Sequence, residues 1–291
     1  MERRMLLQAA VALIAALGTI CGVAQAQGNA IRLIVRADDI GSSHAANVAC
    51  IKSYREGVAR SVEVMVPCPW FNEAVEMLNA NPGYDVGVHL TLTSEWTNLK
   101  WRPLTHCPSL VEEQGNFYPM VWPNANIGPD CSIREADPKI EEVEQELRAQ
   151  IELAVRKIKN VTHLSSHMGF GSARPDIAAV VDKLAAEYKL PIRVEGAKGA
   201  RMERARTPEE KVAAFVKMLE NLEPGLWIFV EHPGLDVPEM RAIGHKGYED
   251  VAIDRQGVTD MFTSPEAMEV IKRRGIELVS YGEVLKASRQ R

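Results

Sequence analysis

The order of segments along the chain predicts an α/β fold, a single distorted (β/α) barrel with parallel strands and a long loop insert after the third strand. Three observations predict it. Short apolar runs alternate with helix-length stretches from residue 31 to the C-terminal region. Polar residues able to do chemistry gather where the apolar runs stop, as on the rim of a parallel α/β fold. No linker composition divides the chain, whose length suits one large domain.

Ile31–Arg36 (IRLIVR) reads as the first strand, and Ser43–Gly57 as a helix with a glycine at its end. Val62–Val66 is the second strand, stopped by Pro67. Phe71–Asn79 is helical, and Asp85–Leu90 is the third strand. The rhythm breaks from Glu95 to Asp137, a stretch rich in Pro, Trp, Asn and Gly that reads as an inserted loop. Asp137-Pro138 then places an N-cap and a first-turn proline at the head of a helix running to Lys159. Val161–Ser165 is a strand, Pro175–Tyr188 a helix and Pro191–Val194 a strand. Thr207-Pro208-Glu209-Glu210 is a capping box that opens a helix to Leu222. Leu226–Val230 is a buried strand, Ser264-Pro265-Glu266 caps a helix to Arg274, and Ile276–Val279 closes the series. The expectation is about eight strands with helices between them.

Composition narrows the function. Of 291 residues, 46% are hydrophobic and 25% charged, which excludes disorder and coiled coil. Lys plus Arg number 34 against 39 Asp plus Glu, a net charge of −5 that argues against a nucleic-acid partner. Residues 1–26 have the layout of a secretory signal peptide: Arg3 and Arg4, an apolar run from Met5 to Val23, then Ala24-Gln25-Ala26. An uncleaved anchor and a lipid-modified Cys21 are the alternatives. The alanine-rich run, Gln8 and the cleavage pattern favour removal, and Ile20 is bulky for a lipoprotein site. The mature chain then starts at Gln27, is exported to the periplasm or beyond, carries a net charge of −6 and keeps no stable membrane span. Its cysteines are Cys50, Cys68, Cys107 and Cys131. Cys107 and Cys131 flank loop-rich chain and form the expected disulfide, while Cys50 and Cys68 read as buried thiols.

No strand is followed by a dinucleotide or phosphate loop, so NAD, FAD and ATP are poor guesses. The informative strand ends are Arg36-Ala37-Asp38-Asp39-Ile40-Gly41, Gly87-Val88-His89-Leu90-Thr91-Leu92-Thr93, His163-Leu164-Ser165-Ser166-His167-Met168-Gly169 and Glu231-His232-Pro233-Gly234. Adjacent carboxylates repel unless something compensates, and a cation held by one of them with the other left as a base would do so. Helix capping or turn formation explains either aspartate taken alone. His89 lies in an apolar strand, where a core role is common, and His163 suits a structural role. His167, past its strand end, is the better ligand. One Asp and two His around one divalent cation leave room for water and substrate, with Zn²⁺ favoured by the nitrogen donors and Mg²⁺ the alternative.

These four motifs, in this order across nearly the whole mature chain, resemble the YdjC-like family of chitooligosaccharide and hopanoid N-deacetylases, within the wider carbohydrate-deacetylase superfamily. The resemblance implies a distorted (β/α) barrel and a metal held by Asp39, His89 and His167. It also implies Asp38 as catalytic base and His232 as acid or oxyanion partner. The third motif departs from the family pattern: many members have Asp where Ser165 stands and His where Gly169 and Gly171 stand. The expected chemistry is hydrolysis of an N-acetyl group on a carbohydrate or glycolipid, with Asp38 taking a proton from water and His232 protonating the leaving amine. Arg36, Arg174 and Arg193 are the candidates for orienting Asp38. Trp96, Trp101, Phe117, Tyr118 and Trp122 either stack on sugar rings or pack the insert onto the barrel. Two other readings stay open. One is a metal-dependent glycosidase or phosphoester hydrolase drawing a carboxylate from Glu63, Glu195 or Glu231. The other is a carbohydrate-binding protein without catalysis.

Overall fold

The computed structural model describes residues 30–289, so the expected leader and Cys21 lie outside the described residues. At the centre is β1 (Ile31–Ile40), in which Leu33, Ile34, Val35, Ala37 and Ile40 are fully buried. Burial on both faces is what a continuous apolar run in a parallel sheet produces. One edge of β1 pairs with β6 (Gly225–Glu231), from Ile31 opposite Gly225 to Ala37 opposite Glu231. Its other edge is shared. The lower part pairs with β7 (Glu277–Leu278), and the upper part with β2 (Ser61–Val64). Outward from β2 follow β3 (Val86–Leu90) and β4 (Val161–Ser166), and outward from β6 follows β5 (Ala197–Gly199). The order is β4-β3-β2-β1-β6-β5, every pairing is parallel, and the sheet curls into a half-barrel with helices around it, as expected.

The helices are α1 (His44–Arg55), α2 (Phe71–Ala80), short α3 (Ile133–Ala136), α4 (Ile140–Lys157), α5 (Pro175–Tyr188) and α6 (Pro208–Asn221). Short α7 (Pro238–Arg241), α8 (Val251–Thr263), α9 (Pro265–Arg274) and α10 (Tyr281–Arg289) complete the chain. Cap chemistry sets several boundaries. The Ser43 hydroxyl accepts from Ala46 N, Thr207 and Glu210 form the reciprocal capping box, and Ser264 accepts from Ala267 N.

Three features differ from expectation. The sheet among the described residues has seven strands. Residues 191–194 are not one of them, and there a lone bond from Leu164 N to Pro191 O touches the edge of β4. Pro191 lacks an N–H and cannot complete a ladder, and the strand forms later, at Ala197–Gly199. Asp137 does not cap α4. It terminates α3 in a left-handed conformation, φ 49°, and α4 begins at Ile140 behind Lys139. Helix α8 has no counterpart among the elements expected from sequence: its N-cap makes no side-chain bond and its interior carries Gly257, so the usual start signal is missing. No helix among the described residues is long and apolar enough to cross a membrane.

Candidate metal centre and catalytic carboxylates

The strand that carries the aspartate pair runs four residues further than its apolar core, through Ile40. Consecutive residues of a regular strand point to opposite faces, so two adjacent carboxylates should not share a site. They do here. The register of β1 against β2 is irregular between Ala37 and Ile40, and Asp39 has φ 73°. A bulge of this kind re-aims side chains at a strand end. Gly41 follows at φ 103°, where an added Cβ would sit 2.8 Å from the Met65 carbonyl oxygen, so only glycine fits the turn.

His89 on β3 and His167 just after β4 meet these carboxylates. His89 Nε2 is 3.6 Å from Asp38 Oδ2 and 3.6 Å from Asp39 Oδ1, and His167 Nδ1 is 3.4 Å from Asp39 Oδ1. One donor atom from each of Asp39, His89 and His167 falls within 4.8 Å of the others, and all three residues are buried. Asp39 Oδ1 and His167 Nδ1 have no hydrogen-bond partner. Buried polar atoms without partners are costly, and a cation would satisfy both. The spacing suits one. Ligands about 2.0–2.1 Å from a tetrahedral centre lie about 3.4 Å apart. The sequence-named set of Asp39, His89 and His167 is therefore brought together, with donor chemistry that fits a divalent metal.

Each imidazole is held at its far nitrogen, as metal-ligating histidines usually are. His89 Nδ1 is 2.7 Å from Ser165 Oγ, and His167 Nε2 is 3.0 Å from Glu95 Oε2. Burial, aided by the His167 and Arg36 charges, takes the His89 pKa down to about 4, so its ring is neutral near pH 7. Burial opposes the charge on His167 as well, but Glu95 and Asp39 outweigh it and raise that group to about 10. Burial alone would raise the Asp39 carboxyl. Arg255, His232 and His167 instead hold it well below the usual range.

Asp38 is gripped by Arg36 in a two-point pair, Nε to Oδ1 at 2.7 Å and Nη2 to Oδ2 at 2.8 Å. Of the three arginines considered for that role, Arg36 fills it. Arg174 pairs with Asp137 and Asp176, and Arg193 with Asp182. His232 lies directly after β6 with its side chain 41% exposed and Nδ1 3.7 Å from Glu231 Oε2. Desolvation lowers its pKa, and the Asp39 charge with the Glu231 contact raises it by more, leaving it above the ordinary value.

Two site residues escaped the sequence reading. Arg255, on α8, donates from Nη2 to Asp39 Oδ2 at 2.8 Å and lies 5.2 Å over the Trp96 ring. It leaves Asp39 one free oxygen. Glu95 opens the insert and reaches His167. Helical spacing could have flagged neither, because both act across the fold.

The insert is not closed by a disulfide. Cys107 and Cys131 are free and buried, with their thiols turned to the carbonyls of Thr105 and Asn124. Side chains of α4 anchor it instead. Glu146 accepts from Leu104 N, Thr105 N and the Thr105 hydroxyl, and Glu142 accepts from Ser109 N and its hydroxyl. Trp96, Trp101 and Phe117 are buried packing residues, Tyr118 is half-buried, and Trp122 is exposed beside Arg134. The carboxylates proposed for a glycosidase are dispersed. Glu63 is buried against His163 and Ser165, Glu195 lines a surface cavity with Arg32 at the start of β1, and Glu231 flanks His232.

The family model described as YdjC-like protein matches residues 32–273. A carbohydrate deacetylase of Thermus thermophilus is 35% identical over 72% of this chain and 80% of its own length. A carbohydrate deacetylase of Brevibacillus brevis is 30% identical over 87% of this chain and all of its own, and a chitooligosaccharide deacetylase of Yersinia enterocolitica is 27% identical over 86% and 98%. A crystal structure of a protein from Enterococcus faecalis V583 shares the fold at TM-score 0.69, with 24% identity, covering 88% of this chain and 99% of that one. The chain belongs to the YdjC-like protein family.

Proposed function

We propose that this protein is an exported, metal-dependent carbohydrate N-deacetylase that hydrolyses an N-acetyl group of an amino-sugar-containing carbohydrate or glycolipid. One observation carries the reading. Three buried donor atoms of Asp39, His89 and His167 converge, two of them unpartnered, beside a second carboxylate held in a fixed orientation. The relatives named carbohydrate deacetylase support the substrate class, and residues 1–26 support export. The two nitrogen donors suit Zn²⁺ better than Mg²⁺, which prefers oxygen.

A divalent cation in this site supplies Lewis acidity that polarises the amide carbonyl and acidifies water. Asp38 accepts the proton of the attacking water, and the Arg36 fork fixes the carboxylate for that task. Arg255 occupies the outer oxygen of Asp39, so that residue presents a single oxygen inward. His232, half-exposed at the rim and raised in pKa, gives a proton to the departing amine. Acetate and the free amine leave. The mature charge of −6 is compatible with an uncharged sugar.

Asp38→Asn should keep bound metal while lowering acetate release from N-acetylated oligosaccharides by a factor of about 10² to 10⁴. His89→Ala and His167→Ala should lose the metal. Full metal occupancy in all three variants, measured by elemental analysis, would sink the ligand assignment.

A further inference from the structure

Glu63 is fully buried on β2, among strands, and the mechanism above makes no use of it. An isolated carboxylate in such a place is strongly unfavourable, and even a paired one is often bettered by an apolar residue of similar size. Its surroundings are specific. Register places Glu63 opposite Gly87 and Gly87 opposite His163, one row across β2, β3 and β4. The neighbouring row sets His89 opposite Ser165. A Cβ at Gly87 would lie 2.1 Å from Glu63 Oε2 and 2.6 Å from His163 Nε2, so the missing side chain is the space in which Glu63 crosses to β4. There Oε1 meets His163 Nε2 at 2.7 Å, and Oε2 accepts the Ser165 hydroxyl. His163 is itself fixed, with Nδ1 2.8 Å from Thr162 Oγ1 and its ring stacked 3.9 Å from Tyr281.

The direction of the hydrogen bonds follows by elimination. An ionised carboxylate only accepts, so the Ser165 O–H donates to Glu63. Its oxygen then accepts from His89 Nδ1–H at 2.7 Å. That leaves the lone pair of His89 on Nε2, the nitrogen 3.6 Å from Asp39 Oδ1. We infer that Glu63 is a positioning residue for the metal centre, acting through the Ser165 hydroxyl to fix the tautomer and orientation of His89. A two-residue relay, hydroxyl then carboxylate, does here what a carboxylate placed directly on the imidazole does in other metal sites. The inference rests on the metal-dependent reading proposed above.

The test is Zn²⁺ affinity, measured by competition with a chromophoric chelator on the mature full-length protein. Wild type should bind one equivalent. Glu63→Gln and Ser165→Ala should each bind about 10- to 100-fold more weakly. The double variant should bind no more weakly than the weaker single, because both break one chain. Ser165→Asp sets a carboxylate on His89 Nδ1 and should restore most of the affinity in the Glu63→Gln background. A residue that merely supports the fold would lower thermal stability without this rescue. Wild-type affinity in both single variants overturns the inference and leaves the metal reading standing. Absence of stoichiometric Zn²⁺ from wild type overturns both. Should Glu63→Gln fail to fold, Ser165→Ala and Gly87→Ala carry the same comparison, since a methyl at Gly87 displaces the Glu63 carboxylate.

Discussion

At the scale of single residues the site depends on how neighbouring charges divide their attention. Asp38 and Asp39 are adjacent in sequence yet have separate guanidinium partners, Arg36 and Arg255, so each buried carboxylate has its own counter-cation. The Arg36 contact uses both prongs of the fork, which a lysine ammonium cannot reproduce. Arg36→Lys should therefore keep Zn²⁺ affinity within about threefold while reducing kcat about 10- to 100-fold, as read from steady-state acetate release. Most of these residues could be named from sequence, because Asp38, Asp39, His89, His167 and His232 all stand where apolar runs end. Arg255 and Glu95 could not. Their partners are 216 and 72 residues away, and nothing local distinguishes them from surface charges.

At the scale of elements, local cap chemistry decided what could be read. Helix α5, with Pro175 at its first position, and α9, with Ser264 and Pro265, match their sequence boundaries. Helix α8 has no such signal, and α4 starts at Ile140 rather than behind Asp137 because Asp137 ends the preceding helix. Tertiary contact governs the insert in the same way. Gln150 on α4 bonds both N and O of Thr91, and it also holds Glu146 towards Leu104 and Thr105. A short helix face thereby ties the end of β3 and the insert into one unit. Glu146→Ala strands two backbone N–H groups and should cost about 1–3 kcal/mol. Hydrogen exchange should show the amides of Leu104 and Thr105 losing protection before those of β3. Unchanged protection there would mean that the insert is held by its buried aromatics instead.

At the scale of the whole molecule, the parallel order of the strands and the rim position of the site followed from alternation and from where polar residues fell. The place of the fifth strand did not, since only Pro191 warned that 191–194 would not join a ladder and that the strand would form later, at Ala197–Gly199. Global stability should also carry the mark of the buried network. Burial would raise the Glu63 carboxyl, but His163, Arg36 and His89 outweigh it and hold it at about 2 against an ordinary 4.5. A depressed carboxylate contributes stability above the unfolded-state value and loses it as pH falls towards the folded-state value. Urea midpoints of wild type should drop between about pH 4.5 and pH 2, by on the order of a few kcal/mol in unfolding free energy. The same titration of Glu63→Gln should start lower and be flatter.

The weakly bonded segment at 191–194 has a consequence for how the molecule divides. It separates a first half that ends with α5 from a second that begins at β5, and β1 with β6 supplies the longest register between them. Asp38, Asp39, His89 and His167 all belong to the first half, whereas Arg255 and His232 belong to the second. The candidate ligands and the Arg255 that pairs with Asp39 are thus encoded on separate stretches of chain. A first half expressed alone would possess Asp39, His89 and His167 but neither the Arg255 partner of Asp39 nor His232. The candidate centre is a property of the join.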